Sequence, residues 1–393
     1  MTDMDEKLNL QSPSGTLDLL PEEMEKYNWV RNKLEAVFKQ YGYQQIDLPM
    51  YEFFDIYRKR SGEKVINDIF TFYDPPKHRA AENPPLYALR PEFTASLARF
   101  YITSELMYRP KPQKYFYIGP CFRYDEPAPG RYRQFTQAGL EIFGADTATA
   151  DAEMLIVAMD IMEKFQIQNY LLRINDLTIL RSYLEELQYS EKLQQQIFGI
   201  IDRITSLLRK LEIGVLDEKE TNTSILDDYY GSMSEAGCDR EEIEKLEKLL
   251  HLVGPPAKIL SQLKLIFTDN PGPIKALEES KLAEVCTLLE AADVSPFVID
   301  CGIARGLDYY TNIVFEIDVP ILGKQKQICG GGRYNEMIRT FGGEDTPGLG
   351  FSFGFDRILI ALERQGLAPA VSTRSDLFIG TKTETQGFGM ALA

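Results

Sequence analysis

Residues 121–144 read as a strand, a basic turn and a second strand, and this hairpin constrains the fold more than any other segment. Alternate side chains of a strand share a face, so the second strand divides into two sets. The apolar set belongs to the core and comprises Thr136, Ala138, Leu140 and Ile142. The other set comprises Phe135, Gln137, Gly139 and Glu141. The hairpin therefore predicts one buried face and one face that can meet a ligand.

The second set predicts a polar slot. Gly139 has no side chain and leaves room for a ligand. Four strand residues span roughly 13 Å, so Gln137 and Glu141 could hold opposite ends of an amino-acid-sized molecule. Three arginines near the turn supply positive charge suited to phosphate: Arg123, Arg131 and Arg133. The alternative is an ordinary exposed hairpin whose arginines are solvated.

The whole chain has the composition of a soluble globular protein with two or three domains. It has 393 residues, of which 44% are hydrophobic, and this content permits a sizeable core. No run of about 18 apolar residues occurs, which argues against a membrane segment. The first residues lack the basic and apolar regions of a secretion signal. We therefore expect a cytoplasmic protein.

The charge and the cysteine and histidine content limit the kinds of binding and catalytic site that the chain can form. A formal net charge of −16 predicts weak nonspecific attraction to nucleic acid, so any polyanion must be met locally. The five cysteines are widely spaced without a Cys-x-x-Cys pair, which predicts reduced, buried thiols rather than disulfides or a zinc site. The only histidines are His78 and His251, too few for a Ser-His pair or a multi-histidine metal site.

The first half of the chain alternates between helical and strand-like segments. Pro21 begins an amphipathic helix that Gly42 ends. Residues 86–99 predict a short strand that leads into a helix. Glu92 and Thr94 fall at the start of that helix, where Thr94 is a candidate cap. Capping alone is the alternative to a ligand-binding role for these two residues.

The second half begins with charge-laced helices and returns to strands. We expect residues 180–292 to form an inserted helical module, and strand signals from Phe297 onward to resume the first sheet. Two glycine groups, at residues 330–332 and 348–354, match neither a P-loop nor a Rossmann fingerprint. Such glycines more often form tight turns or close strand packing.

The order of these segments resembles a class II aminoacyl-tRNA synthetase, and closely the histidyl-tRNA synthetase family. The stretch around Leu48–Glu52 is similar to motif 1, Phe122–Phe143 to motif 2 and Pro347–Leu362 to motif 3. Two more specific stretches are Ala304–Thr311 and Cys329–Tyr334. The resemblance implies an α+β class II catalytic fold, with an antiparallel sheet flanked by helices and a helical insertion domain. It also implies a homodimer, because the proline of motif 1 lies at the dimer interface in that family.

The domain organisation implied by the resemblance has four parts. The catalytic core would comprise residues 1–179 and 293–370, interrupted by the insertion domain at residues 180–292. Residues 371–393 resemble the first strand and helix start of the family's C-terminal anticodon-binding domain, which has an ordinary domain size of about a hundred residues. We therefore expect a shortened or fragmentary chain.

The resemblance also implies residue roles. The histidine-binding positions would be Glu92, Thr94, Gln137, Glu141, Tyr309 and Tyr310. Arg123 would hold the α-phosphate of ATP. Phe135 and Arg357 would sandwich adenine, and Arg357 would also reach the triphosphate. Arg305 matches the arginine beside the substrate carboxylate and α-phosphate, so the catalytic set would be Arg123, Arg305 and Arg357.

The implied reaction is attack by the carboxylate of L-histidine on the α-phosphorus of ATP, followed by transfer of histidine to tRNA(His). It needs no side-chain nucleophile, since positioning and positive charge at the phosphorus perform the catalysis. Mg²⁺ would accompany ATP through its phosphates, so no protein-held metal or tightly bound cofactor is expected.

Two other functions compete with the synthetase. The regulatory subunit of ATP phosphoribosyltransferase is synthetase-like, lacks the anticodon-binding domain and senses histidine without aminoacylation. A degenerate paralogue used as a binding module is the third. The arginines at 123, 305 and 357 favour the synthetase, because a sensor needs only the histidine pocket.

Overall fold

The predicted hairpin forms two neighbouring strands within a nine-stranded sheet. This computed structural model describes residues 9–58, 66–75, 84–212, 221–304 and 309–370. Arg305, predicted to be catalytic, and residues 371–393, predicted to begin an anticodon-binding domain, lie outside the described residues.

The described helices are α1 (Pro21–Gln40), α2 (Phe54–Arg58), α3 (Thr94–Thr103), α4 (Ala148–Lys164), α5 (Leu177–Glu186), α6 (Glu191–Glu212), α7 (Asn222–Ala236), α8 (Arg240–Leu250), α9 (Pro256–Ile266), α10 (Pro271–Glu279), α11 (Leu282–Ala291), α12 (Met337–Thr340) and α13 (Phe355–Arg364).

The described strands are β1 (Gln44–Gln45), β2 (Tyr51–Phe53), β3 (Thr71–Tyr73), β4 (Leu86–Leu89), β5 (Gln113–Phe122), β6 (Gln134–Phe143), β7 (Leu171–Asp176), β8 (Val253–Gly254), β9 (Phe297–Asp300), β10 (Ile313–Asp318), β11 (Gln327–Arg333) and β12 (Gly348–Gly354).

The large sheet is mixed, with the order β1-β5-β6-β12-β11-β10-β7-β9-β8. Its six central strands, from β5 to β7, pair antiparallel. The pairs β1–β5 and β7–β9 are parallel and the edge pair β8–β9 is antiparallel, so the expected antiparallel arrangement is confirmed for the centre of the sheet. With helices packed against it, the sheet gives an α+β fold.

The two faces of β6 match the alternation in its sequence. Ala138, Leu140 and Ile142 are buried in a core cluster with Val30 and Phe38 of α1. Helix α1 repeats apolar residues at helical spacing, which is why it lies against this face. The opposite face of β6 carries Gln137 and Glu141, and the site lies on that side.

The glycine group at residues 330–332 lies inside strand β11 and not in a turn. A Cβ atom on Gly331 would lie 2.2 Å from the backbone oxygen of Gly350 on β12. A Cβ atom on Gly332 would lie 2.5 Å from the backbone oxygen of Ile313 on β10. These glycines allow three strands to pack closely, which is the second of the two roles expected for them.

Helices α5 to α11 occupy most of the segment between Leu177 and Ala291, and the sheet resumes at β9. Their apolar side chains belong to the same core cluster as those of the sheet. The boundaries of an inserted domain at residues 180 and 292 remain a prediction.

A separate three-stranded sheet has the order β2-β4-β3 and carries exposed aromatic rings. Tyr51 and Phe53 are 53% and 54% exposed, and Phe72 on β3 is 39% exposed. The rings of Tyr51 and Phe72 contact each other edge to face, with centroids 5.6 Å apart.

All five cysteines are free and buried, as their spacing predicted. No helix in the described part of the chain combines the length and apolar character that a membrane crossing requires.

Candidate active site

One cavity of about 500 Å³ lies over the polar side of β6. The start of α3, the β5–β6 hairpin, strands β11 and β12 and helix α6 contribute to its wall. Eight of the ten predicted site residues line it: Glu92, Thr94, Arg123, Phe135, Gln137, Tyr309, Tyr310 and Arg357. The fold thus brings together residues that are up to 265 positions apart in the sequence (357 − 92).

The N-terminus of α3 is capped by Glu92 and not by Thr94. The Glu92 carboxylate accepts hydrogen bonds from the backbone N–H groups of Thr94 and Ala95, at 2.5 and 3.0 Å. Thr94 is the first helical residue. Capping by Thr94 was therefore wrong, because a carboxylate two residues earlier reaches the free N–H groups of the first turn.

The Thr94 hydroxyl is then available to a second carboxylate. It donates a hydrogen bond to the Oε1 atom of Glu141 at 2.9 Å. Two tyrosine hydroxyls complete the set, from Tyr117 to Oε1 at 3.3 Å and from Tyr334 to Oε2. Glu141 is 1% exposed and lies behind the residues that line the cavity. Direct contact between Glu141 and a ligand remains a prediction.

The environment of Glu141 holds a proton at neutral pH. Burial raises the pKa of its carboxyl to about 8, although the hydrogen bonds from Tyr334 and Thr94 act in the opposite direction. Burial also raises the pKa of Glu92, against the lowering effect of the N–H groups and of Arg123. Two carboxyl groups can share this small buried volume because they need not both be charged.

Two glycines near Glu141 are closely packed, and Gly139 does not have the role expected of it. A Cβ atom on Gly139 would lie 2.3 Å from the backbone oxygen of Phe351 and 2.6 Å from the Tyr117 hydroxyl. The space expected for a ligand at Gly139 is therefore filled by protein. The glycine that makes room for a functional group is Gly350, where a Cβ atom would lie 1.6 Å from Oε2 of Glu141.

Gln137 is oriented by a residue that the sequence did not single out. The buried Cys121 thiol contacts the Oε1 atom of Gln137 at 3.4 Å. Burial raises the pKa of the thiol to about 12, so it keeps its proton and acts as the donor. The pairing of β5 with β6 accounts for this contact. Cys121 lies opposite Phe135, and Phe135 is two residues before Gln137 on the same face of β6.

The other end of the cavity is cationic. The Arg123 guanidinium lies 5.3 Å from the ring centroid of Phe135, and its Nε donates to the Pro91 oxygen at 2.9 Å. Arg357 donates to the Gly130 oxygen at 3.0 Å, which ties α13 to the turn of the hairpin. Burial, and then the charges of Arg123 and Arg131, lower the pKa of Arg357 to about 10. Arg357 therefore remains charged at neutral pH.

The other two arginines of the hairpin are engaged elsewhere. Arg131 lines the cavity but pairs with Asp125 at 2.6 Å. Arg133 does not line it, and its guanidinium lies 3.9 Å from the ring centroid of Tyr124. The structure thus places Arg133 outside the cavity, although alternation would put it on the side of Phe135, because its guanidinium contacts the Tyr124 ring and its Nε donates to the Asp125 oxygen at 3.2 Å.

Tyr309 and Tyr310 enter the cavity from the segment before β10 and are only 4% and 6% exposed. Tyr334 directly follows strand β11 and lines the same cavity. Its position at the end of the Cys-Gly-Gly-Gly-Arg-Tyr run was the available signal. The polar end thus combines carboxyl, amide and phenol groups, whereas the opposite end presents guanidinium groups and an aromatic ring. Such a cavity can align an amino acid with a phosphate ester.

The chain matches the family described as Histidyl-tRNA synthetase over residues 15–358. It is 35% identical over 371 residues to the histidine–tRNA ligase of Thermococcus kodakarensis, covering 94% of this chain and 78% of that protein. It is 38% identical over 355 residues to the histidine–tRNA ligase of Methanocaldococcus jannaschii, covering 90% of this chain and 76% of that protein.

Solved structures give the same answer for the fold. Histidyl-tRNA synthetase from Nostoc sp. PCC 7120 superposes with a TM-score of 0.73 at 25% identity, covering 92% of this chain and 77% of that one. A Bacillus halodurans protein described as an ATP phosphoribosyltransferase regulatory subunit/histidyl-tRNA synthetase has a TM-score of 0.70 at 19% identity, covering 90% of this chain and 84% of that one. At that identity the second likeness concerns the fold alone.

The family match covers most of the chain, and the residues of the matched segment form the cavity described above. The chain belongs to the histidyl-tRNA synthetase family, the ligases that join histidine to its tRNA.

Proposed function

We propose that the cavity is the site where this ligase activates L-histidine with ATP and then transfers it to tRNA(His). The observation that carries the proposal is the cavity itself, in which a polar pocket and a cationic, aromatic end share one volume. An aminoacyl-adenylate has the same two parts, an amino acid and a nucleotide joined through a phosphate.

The polar end would bind histidine. Glu92, with its carboxylate at the start of α3, and Gln137, oriented by Cys121, suit the α-amino group. Tyr309 and Tyr310 would close the pocket around the imidazole ring. Thr94 and Glu141 would accept a hydrogen bond from an imidazole N–H, directly or through the Tyr334 hydroxyl. A buried polar pocket of this kind rejects side chains that lack the donor, because its own polar groups would be left unpaired.

The cationic end would bind ATP. Adenine would lie between Phe135 and the planar guanidinium of Arg357, which line the same cavity, and the charge of Arg123 suits the α-phosphate. The resemblance assigns Arg305 to the substrate carboxylate and α-phosphate. Mg²⁺ would enter with ATP, carried by its phosphates.

The chemistry proposed for this site has two steps. A histidine carboxylate oxygen attacks the α-phosphorus, and the bond from that phosphorus to the bridging oxygen breaks, so pyrophosphate leaves. A terminal ribose hydroxyl of tRNA(His) then attacks the carbonyl carbon and releases AMP. The arginines stabilise the negative charge that develops at phosphorus, and they act as fixed charges that need no reorganisation.

A homodimer in the cytoplasm is the form we propose for the enzyme. The exposed rings of the β2-β4-β3 sheet, Tyr51, Phe53 and Phe72, form an apolar surface suited to a second copy of the chain. Five free thiols suit a reducing compartment. Analytical ultracentrifugation tests the dimer, and a Tyr51→Glu substitution should shift the chain to a monomer.

The regulatory-subunit alternative is less favoured, since the curated relatives at 35–38% identity are named as ligases. The decisive assay is exchange of labelled pyrophosphate into ATP with each amino acid in turn. We expect exchange with histidine only. Failure to exchange, together with activation of an added short-form ATP phosphoribosyltransferase, would support the regulatory subunit instead.

A further inference from the structure

We propose that helix α6 is a positioning element for histidine activation, acting through Arg209 and Thr205 on the turn Cys301–Ala304. This inference rests on the proposed function. It assigns to the helical segment a role in the first chemical step, in addition to any contact with tRNA.

Helix α6 has two faces with different surroundings. Its apolar residues Ile197, Ile201, Ile204 and Leu208 are buried in the main core cluster. Its polar residues recur at the complementary helical positions and line the active-site cavity: Asp202, Thr205, Ser206, Arg209 and Lys210. One wall of the cavity is therefore supplied by a helix outside the sheet.

Arg209 joins this wall to the sheet by a buried pair of ionic contacts. Its Nη2 lies 2.6 Å from Oδ2 of Asp300 at the end of β9, and its Nη1 lies 2.9 Å from Oε2 of Glu316 on β10. Arg173 on β7 also contacts Oδ2 of Asp300, at 2.8 Å. Asp300 is fully buried and has lost its contact with water. The two guanidinium groups therefore provide the stabilising interactions that water would otherwise give this carboxylate.

Asp300 passes this constraint to the turn that follows it. Its second oxygen, Oδ1, accepts a hydrogen bond from the Gly302 N–H at 3.0 Å. The Asn175 amide donates to the backbone oxygens of Cys301 and Ile303, at 3.3 and 2.8 Å. The backbone of the turn is thus held by side chains of β7 and β9.

Helix α6 also contacts the turn directly. A Cβ atom on Gly302 would lie 2.8 Å from the Thr205 Oγ1 atom and 2.9 Å from its Cγ2 atom. Only glycine fits between the turn and the helix at this distance. The Thr205 hydroxyl is buried, and no group within the described ranges accepts or donates a hydrogen bond to it. The Thr205 side chain therefore packs closely against Gly302.

The turn is followed directly in the sequence by residue 305, the arginine proposed for the substrate carboxylate and α-phosphate. A displacement of about 1 Å in a group that positions reactants can lower a rate by about a hundredfold. The contacts that hold the turn come from strands β7 and β9 on one side and from helix α6 on the other. We therefore expect these contacts to affect kcat more than substrate affinity.

A double-mutant cycle between Gly302 and Thr205 tests the contact. The rate of histidine-dependent pyrophosphate exchange is measured per active site, with sites counted by stoichiometric adenylate formation. We expect G302A to lower kcat by about tenfold or more, with smaller changes in the KM values for histidine and ATP. The same substitution in the T205A background should lower kcat by about twofold or less, since both clashing atoms are gone.

Matched controls lie on the same helix. G199A adds a methyl group where nothing lies within 4 Å, and should leave exchange unchanged. R209Q should lower kcat, whereas R203Q, which removes an exposed arginine paired with Asp228, should not.

Equal losses from G302A in the two backgrounds, or equal kcat values for R209Q and R203Q, would overturn the inference and leave the proposed function intact. Absence of exchange in the parent chain would reject the proposed function and this inference with it.

Discussion

The Thr94 hydroxyl donates a hydrogen bond to the Glu141 carboxyl at 2.9 Å, and this contact joins the first turn of α3 to strand β6. Glu92 makes it possible, because that carboxylate takes over the N–H groups of the helix start. One short segment thus caps a helix with one residue and supports the pocket proposed for histidine with another.

The first prediction concerns this contact. T94V keeps the shape of the side chain and removes the hydroxyl, so Glu141 loses one of its donors. Leaving a buried polar group short of a partner costs about 1–3 kcal/mol, and we expect the KM for histidine to rise about tenfold. Pyrophosphate exchange at varied histidine concentration measures it. T287V, which removes an exposed hydroxyl within α11, is the control. A T94V enzyme with the parental histidine KM would contradict this role.

The second prediction is a pH dependence of stability that originates at Glu141. Burial raises the pKa of this carboxyl from 4.5 to about 8 in the folded protein. Between these two values the folded state holds a proton that the unfolded state has released. The contribution of Glu141 to stability therefore falls as pH rises through this window, by up to about 1.4 kcal/mol per pH unit.

Substitution E141Q should make this fall smaller, because an amide does not titrate. The free energy of unfolding by urea is measured for both proteins at pH 5, 6, 7 and 8. E278Q, at an exposed position on α10, controls for the loss of a carboxyl group. Identical pH slopes for E141Q and the parent would show that Glu141 is ionised in the folded protein.

A third prediction follows from Gly350. The Cβ atom in G350A would lie 1.6 Å from Oε2 of Glu141 and 2.5 Å from the backbone oxygen of Leu140. Because β6 and β12 must separate or Glu141 must move, we expect the free energy of unfolding to fall by about 1–3 kcal/mol or more. G231A on α7, where nothing lies within 4 Å, should be neutral or stabilising. Equal unfolding free energies for the two variants would refute the close packing.

A fourth prediction separates the two ends of the cavity. R357Q removes a cation and its charge-assisted hydrogen bonds, which contribute about 1.5–3 kcal/mol, so the KM for ATP should rise about tenfold or more. The KM for histidine should stay unchanged. R364Q, two turns later on α13 and exposed, is the matched control. A parallel rise in both KM values for R357Q would mean that Arg357 supports the whole site and not the nucleotide end.

The alternation along β6 was enough to predict which side chains face the core and which face the site. Local signals also located helix α1 and the segment that begins α3. They succeeded because the period of two and the spacing of helical residues follow from backbone geometry, whatever the rest of the chain does.

Contacts between distant strands were beyond such reasoning. Gly139 was expected to make room for a ligand, yet Tyr117 and the Phe351 carbonyl fill that space, while Gly350 accommodates Glu141. The ion pairs of Arg209 with β9 and β10 join residues about a hundred positions apart, 91 and 107 in sequence. Nothing in the local pattern of α6 distinguishes this arginine from Arg203.

The most direct test is a crystal structure of the chain with histidine and a nonhydrolysable ATP analogue. We expect the imidazole ring among Thr94, Tyr309 and Tyr310, with adenine between Phe135 and Arg357 and the α-phosphate beside Arg123. Histidine bound elsewhere, or guanidinium groups turned away from the triphosphate, would contradict it.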